Sequence, residues 1–130
     1  PYLFSNAGRP DLTQKWVRWT LDNRFSTDVN GLDGNDDGGT LSAWYVFSSM
    51  GFYPLAGSDK YWIGSPCVDN AEIALSNGNT LKITANKQSD ENIYVSSVTL
   101  NGEKLEGFYI THSQLMSGGE LVFEMSNTAN

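Results

Sequence analysis

At 130 residues and 14.3 kDa the chain is about one domain long, and its 39% apolar and 12% aromatic content is that of a globular protein able to bury a core. Fifteen acidic against eight basic side chains give a net charge of -7 with no Lys/Arg cluster, a balance that repels phosphate backbones and excludes nucleic acid as a partner. No apolar run approaches the length of a membrane span, and a single cysteine, Cys67, excludes an internal disulfide or a cysteine metal cluster.

The chain opens Pro1-Tyr2-Leu3-Phe4 with neither a Met nor a signal segment, which suggests a piece of something longer. Residues 1–54 read as helical. The run DLTQKWVRWTLDNRF from Asp11 predicts a helix whose apolar stripe is Leu12, Trp16 and Trp19, widened by Val17 and Leu21, with Gln14, Lys15, Arg18 and Asp22 outside. Pro10 and Asp11 supply its start. A second helix, TLSAWYVFSSM, is expected to begin on a Thr40 cap and to end at Gly51, which takes the left-handed conformation at low cost. Its apolar residues lie almost all round, so burial on most sides is expected, and two such helices cannot cover each other.

After Pro54 the period changes to two. KYWIGS, AEIAL, TLKITA, NIYVSSVTL and ELVFEM predict five or six strands in a meander or small sandwich, and Asn77-Gly78 and Asn101-Gly102 are hairpin signals. The fold class is therefore α+β, helices followed by a small antiparallel β region at 55–130, with AGSD at 56–59 as the joint.

Between the two predicted helices, Asp33, Asn35, Asp36 and Asp37 crowd into five positions just ahead of an apolar run. Counted from Asp33, the oxygen spacing matches the first half of a calcium loop, with Gly38 at the sixth position, but the twelfth is Trp44 where a bidentate Glu is required. That count argues against an EF-hand, while a calcium site of another design stays open. A second reading uses the helix N-terminus, whose dipole and free amides keep a carboxylate ionised and suited to act as a general base or metal ligand. A carboxylate pair at the rim of an aromatic pocket is also what glycoside hydrolysis requires. A capped loop of turn-forming Asp, Asn and Gly accounts for the same residues without chemistry.

The run YVFSSMGFYP, preceded by GNDDGGTLSAW and followed by YWIGSP, closely resembles glycoside hydrolase family 92, the calcium-dependent exo-acting α-mannosidases. PYLFSNAGRPDLTQKWVR and ITHSQLMSGGELVFEM are similar to the segments on either side, so the likeness covers essentially the whole chain. It implies an enzyme with an N-terminal β-sandwich and an (α/α)6 barrel, of which residues 1–54 resemble the last helices. It also implies inverting hydrolysis of terminal α-mannose on glycans, with calcium helping to distort the ring and a carboxylate activating water. The base motif of some members places two acidic residues one position apart; here those positions read Asn35 and Asp37. Asp37 is accordingly the candidate base and a candidate calcium ligand. Asn35 can orient a water but not take its proton, and Asp36 is assigned to structure or a supporting shell. No Glu matches the family's acid motif: Glu72, Glu91, Glu103, Glu106, Glu120 and Glu124 all fall in the β region. The implied location is secreted, periplasmic or cell-surface.

The remaining candidates read as structural. His112 follows a Thr111 turn cap, Cys67 sits at a strand end, Trp44 and Tyr45 belong to an apolar helix, and Trp62 is expected in a sheet or interlobe contact. A rival function is a calcium-stabilised carbohydrate-binding or structural β module without catalysis.

Overall fold

The computed structural model describes residues 1–129 as an α+β molecule without a closed barrel, in the order α1 (Leu3–Asn6), α2 (Pro10–Arg24), a one-turn 3-10 segment (Asp37–Gly39), α3 (Thr40–Met50) and then β strands. The strands are β1 (Phe52–Pro54), β2 (Lys60–Ile63), β3 (Asn70–Ala74), β4 (Thr80–Asn86), β5 (Tyr94–Leu100), β6 (Glu103–Lys104), β7 (Tyr109–Thr111) and β8 (Gly119–Ser126), with the short α4 (His112–Met116) before the last. They form a three-stranded sheet, β1-β2-β7, and a five-stranded sheet, β3-β4-β8-β5-β6.

The five expected strands are present, but β8 slots between β4 and β5, antiparallel to β5 and parallel to β4. Its alternation places Leu121, Phe123 and Met125 in the core, matched by Leu81, Ile83 and Ala85 of β4. In β5 the buried positions are Val95, then Val98 and Leu100; a bulge between Val95 and Ser97 resets the phase, which is why the strand carries two serines where strict alternation fails. Of the two Asn-Gly signals, Asn101-Gly102 has positive φ at both residues (53° and 82°) and joins β5 to β6 as a two-residue hairpin. At Asn77-Gly78 only the glycine is left-handed. Both turns also anchor the β8 entry: Asn77 Nδ2 donates to Met116 O at 2.7 Å, and Asn101 Oδ1 accepts from Glu120 N at 2.8 Å.

The first long helix begins at Pro10, with Arg9 rather than Asp11 at its cap; Asp11 instead pairs with Arg9. The buried face of α2 is rotated from the expected one, keeping Val17 and Leu21 inside and Lys15 and Asp22 outside but exchanging the two tryptophans for Gln14 and Arg18. Thr13, Gln14, Val17, Arg18 and Leu21 are buried, while Trp16 and Trp19 are 39% and 45% exposed. The reason is polar: Gln14 Oε1 accepts from Val95 N at 3.1 Å beside the bulge, and Arg18 donates through Nη1 to Ser89 O at 2.9 Å and through Nη2 to Pro66 O. Of these, the Val95 amide and the Pro66 carbonyl belong to buried residues of the β region and would otherwise lack partners.

Helix α3 ends at Gly51 in the left-handed conformation, φ 99°, as the sequence implies. A side chain there would also collide with the core, since an added Cβ would lie 2.9 Å from Phe123 Cζ and 3.0 Å from Pro66 Cδ. Burial of α3 on most sides does not occur within this chain: its buried residues are Ser48 and Ser49, and Tyr45 and Val46 are 41% and 54% exposed.

Replacing Arg18 with Met should strand the buried Pro66 carbonyl and lower stability by about 1–3 kcal/mol, the usual cost of one buried polar group left unpaired. Lys should recover little of this, because one ammonium cannot reproduce the guanidinium fork. Urea unfolding of the chain checks both; an Arg18→Met protein as stable as the parent would show the clamp to be dispensable.

Candidate functional site

The acidic segment spans the gap between α2 and α3, and its residues are held unequally. Asp33 pairs with Arg24 Nε at 2.6 Å on the surface. Asp36 accepts from Ser42 N at 2.8 Å and from the Ser42 hydroxyl. Those bonds, first the hydroxyl and then the backbone amide, hold the Asp36 carboxyl below its usual range. Asp37 and Asn35 are exposed, and the Asp37 carboxylate makes neither an ion pair nor a hydrogen bond with any described residue.

The local backbone explains this division. Gly38 and Gly39 both take positive φ, 62° and 80°, and let the chain turn sharply into the helix. Gly39 N donates to Asp36 O at 2.7 Å, and Thr40 Oγ1 donates to Asp37 O at 2.6 Å. Thr40 thus serves the turn and not the helix end, and Asp36 supplies the acceptor for the first turn of α3. The Asp36 to Ser42 reach is six residues, longer than an ordinary cap, because the 3-10 turn is inserted between them. That insertion is why the sequence points to Thr40 and misses both Asp36 as cap and Ser42 as its partner.

Beside this turn lies an open groove of about 420 Å3 lined by Phe25, Leu32, Ser42, Tyr45 and Val46 among others. Phe25 stacks on Trp44 at 5.7 Å with ring planes 7° apart and leans on Tyr45 at 5.0 Å. Trp44 is therefore packed between helices, whereas Tyr45 turns partly toward the groove. Among the described residues no three His, Cys, Asp or Glu side chains come together as a metal cluster. Hard oxygen donors of the kind calcium takes are present in Asp37 and Asn35, but calcium is held by roughly six to eight oxygens, so these residues can form only part of such a shell.

The other candidates lie away from the acidic turn. His112 is exposed on the first position of α4, with Nδ1 at 2.9 Å from the Tyr61 hydroxyl and its ring stacked on Tyr61; the expected Thr111 cap is present and forms a capping box with Gln114. Cys67 is half-buried against the cluster of Tyr2, Val17 and Leu21. Trp62 lies in β2, edge-on to Tyr109, with a buried Nε1 that finds no partner among the described residues. No helix of the described residues is long and apolar enough to cross a membrane.

Comparison with known proteins follows the same outline. An alpha-mannosidase of family GH92 from Bacteroides thetaiotaomicron, solved in complex with mannoimidazole, superposes with a TM-score of 0.94 at 39% identity over 99% of this chain and 17% of its own. The inverting GH92 mannosidase BT2199 of the same organism gives 0.88 at 36% identity over 98% of this chain and 17% of its own. A protein of Arthroderma benhamiae described as an uncharacterized secreted glycosidase is 32% identical over 92% of this chain and 16% of its length. The chain thus spans about one sixth of the proteins it matches. With the profile of the glycosyl hydrolase family 92 catalytic domain matching residues 1–127, the chain belongs to that family.

Proposed function

We propose that the chain is the C-terminal part of an inverting, calcium-dependent exo-α-mannosidase that removes terminal mannose, α-1,2-linked by default, from glycans outside the cytoplasm. The observation that carries this reading is the inequality of the carboxylates: Asp33 and Asp36 are engaged, and Asp37 alone in that turn is left free at the mouth of a helical segment. The alpha-mannosidase names of the matched structures, one of them inverting, support the reaction class, and the secreted relative supports the location.

In this reading Asp37 takes the proton of a water attacking the anomeric carbon from the face opposite the leaving group. Asn35 orients that water through its amide. The acid that protonates the leaving oxygen belongs to another part of the enzyme, since every Glu of this chain lies in or beyond β3, away from the turn. Bound calcium would engage sugar hydroxyls and favour a distorted ring; Asp37 and Asn35 would contribute oxygens to its shell. The rival reading, a calcium-stabilised binding or structural module, rests on the same exposed oxygens but requires no free base.

Asp37→Ala in the whole enzyme should lower kcat by roughly 10²–10⁴ with KM changed only a few-fold, the usual effect of losing a general base. Steady-state kinetics on α-1,2-mannobiose read this directly, and unchanged kcat would favour the module. The 130-residue chain by itself should release no mannose from the same substrate with calcium present; measurable release would mean that the acid lies within it after all. Chelation should abolish turnover in the whole enzyme and calcium should restore it, whereas for a structural ion only the melting temperature would fall.

A further inference from the structure

Asp37 sits on a turn that is fixed by its neighbours and not by its own side chain. The Asp36 carbonyl takes the Gly39 amide, the Asp37 carbonyl takes the Thr40 hydroxyl, and the Asp36 carboxylate grips Ser42 through both its amide and its hydroxyl. Two consecutive left-handed glycines, Gly38 and Gly39, make the same turn intrinsically flexible. Without an external tie, the direction of the Asp37 side chain would be set by little. Ser42 is also a wall of the 420 Å3 groove formed by Phe25, Leu32, Tyr45 and Val46. One residue therefore ties the turn carrying the free carboxylate to the cavity beside it.

We infer that the Asp36–Ser42 pair is a positioning device for the reaction: it holds the Gly38–Gly39 turn so that Asp37 keeps a fixed direction relative to a sugar held beside α3. The inference rests on the proposed role of Asp37 as base. Asp36 touches neither water nor sugar in this scheme and acts through Asp37 alone. A misplacement of about 1 Å at a reacting group costs on the order of 10² in rate, so loosening the turn through Asp36, which does not line the groove, acts on kcat.

The test is a set of variants of the whole enzyme assayed on α-1,2-mannobiose: Asp36→Ala, Asp36→Asn, Ser42→Ala, Asp37→Ala and the Asp36→Ala/Asp37→Ala double. Asp36→Ala should lower kcat by roughly 10–100-fold with KM within about three-fold. Asp36→Asn keeps an acceptor for the Ser42 amide and should recover most of that loss, while Ser42→Ala should fall between them. In the double variant the Asp36 change should cost nothing further, because a residue acting only through Asp37 has no route left. A full kcat with Asp36→Ala, or an additional loss in the double variant, overturns the inference, the second outcome making Asp36 an independent participant. Should Asp36→Ala fail to fold, Asp36→Asn and Ser42→Ala decide by the same kcat-against-KM split, with wild-type kcat in both counting against it. Turnover retained by Asp37→Ala would instead defeat the base assignment, and the positioning role with it.

Discussion

A guanidinium buried without a carboxylate organises this chain. Arg18 gives its Nη groups to the carbonyls of Pro66 and Ser89 and, at 3.4 Å, to Gln88 Oε1, and its Nε has no partner among the described residues. Desolvation lowers its basicity and sets a cost that three hydrogen bonds only partly offset, so its net contribution to stability is modest compared with the cost of removing it. What it supplies is register. Pro66 is in van der Waals reach of the space above Gly51, which in turn abuts Phe123 at the centre of the larger sheet. Gly64 N donates to Gly51 O at 2.8 Å and Cys67 N to Ser49 O at 3.1 Å. Helix α2, the end of α3 and the strand core therefore meet at one short segment, 64–67, and a shift in any one would break bonds to the other two.

From that junction an aromatic chain leads toward the acidic turn. Tyr2, buried with its hydroxyl on Ser48, stacks on Tyr53 at 5.2 Å; Trp44 meets both, and Phe25 lies flat against Trp44. Phe25 immediately follows α2, so its stacking fixes where α2 ends relative to α3. The long segment between them is then closed by local ties: Ser26 N to Gly31 O, Arg24 to Asp33, and Asp36 to Ser42. A loop rich in Gly and Asp is expensive to order, and each tie reduces the conformational freedom that remains.

Element type was legible in the residues wherever one force acted. Period-two alternation marked five strands, Gly51 marked the end of α3, and Thr111 marked the cap that opens α4. Where two forces competed, the pattern misled. The Trp16 and Trp19 stripe obeys hydrophobic periodicity, yet the face turned to the strands carries Gln14 and Arg18, because buried backbone groups there need donors and acceptors that tryptophan cannot offer. The insertion of β8 between β4 and β5 is a long-range choice with no local signature. At the acidic turn the crowding of charge was visible, but its division between held and free carboxylates depends on a 3-10 turn that displaces the cap by several positions.

The same competition accounts for dense negative charge beside a very apolar helix. The β region covers its own apolar residues, with Leu81, Ile83, Leu121 and Phe123 at or near zero exposure, whereas Trp16, Trp19, Tyr45 and Val46 of the helical segment remain well exposed. The unburied aromatic surface and the acidic turn thus occur together, on the segment whose packing is incomplete within these residues. In the proposed enzyme, some six times longer by its relatives' measure, that surface is available for the rest of the chain to pack against. Covering it would lower the dielectric around the acidic turn and strengthen the attraction between Asp37 and the calcium proposed beside it. The apolar neighbours of the turn thus become part of the proposed chemistry, because interactions between charges are stronger where water is excluded.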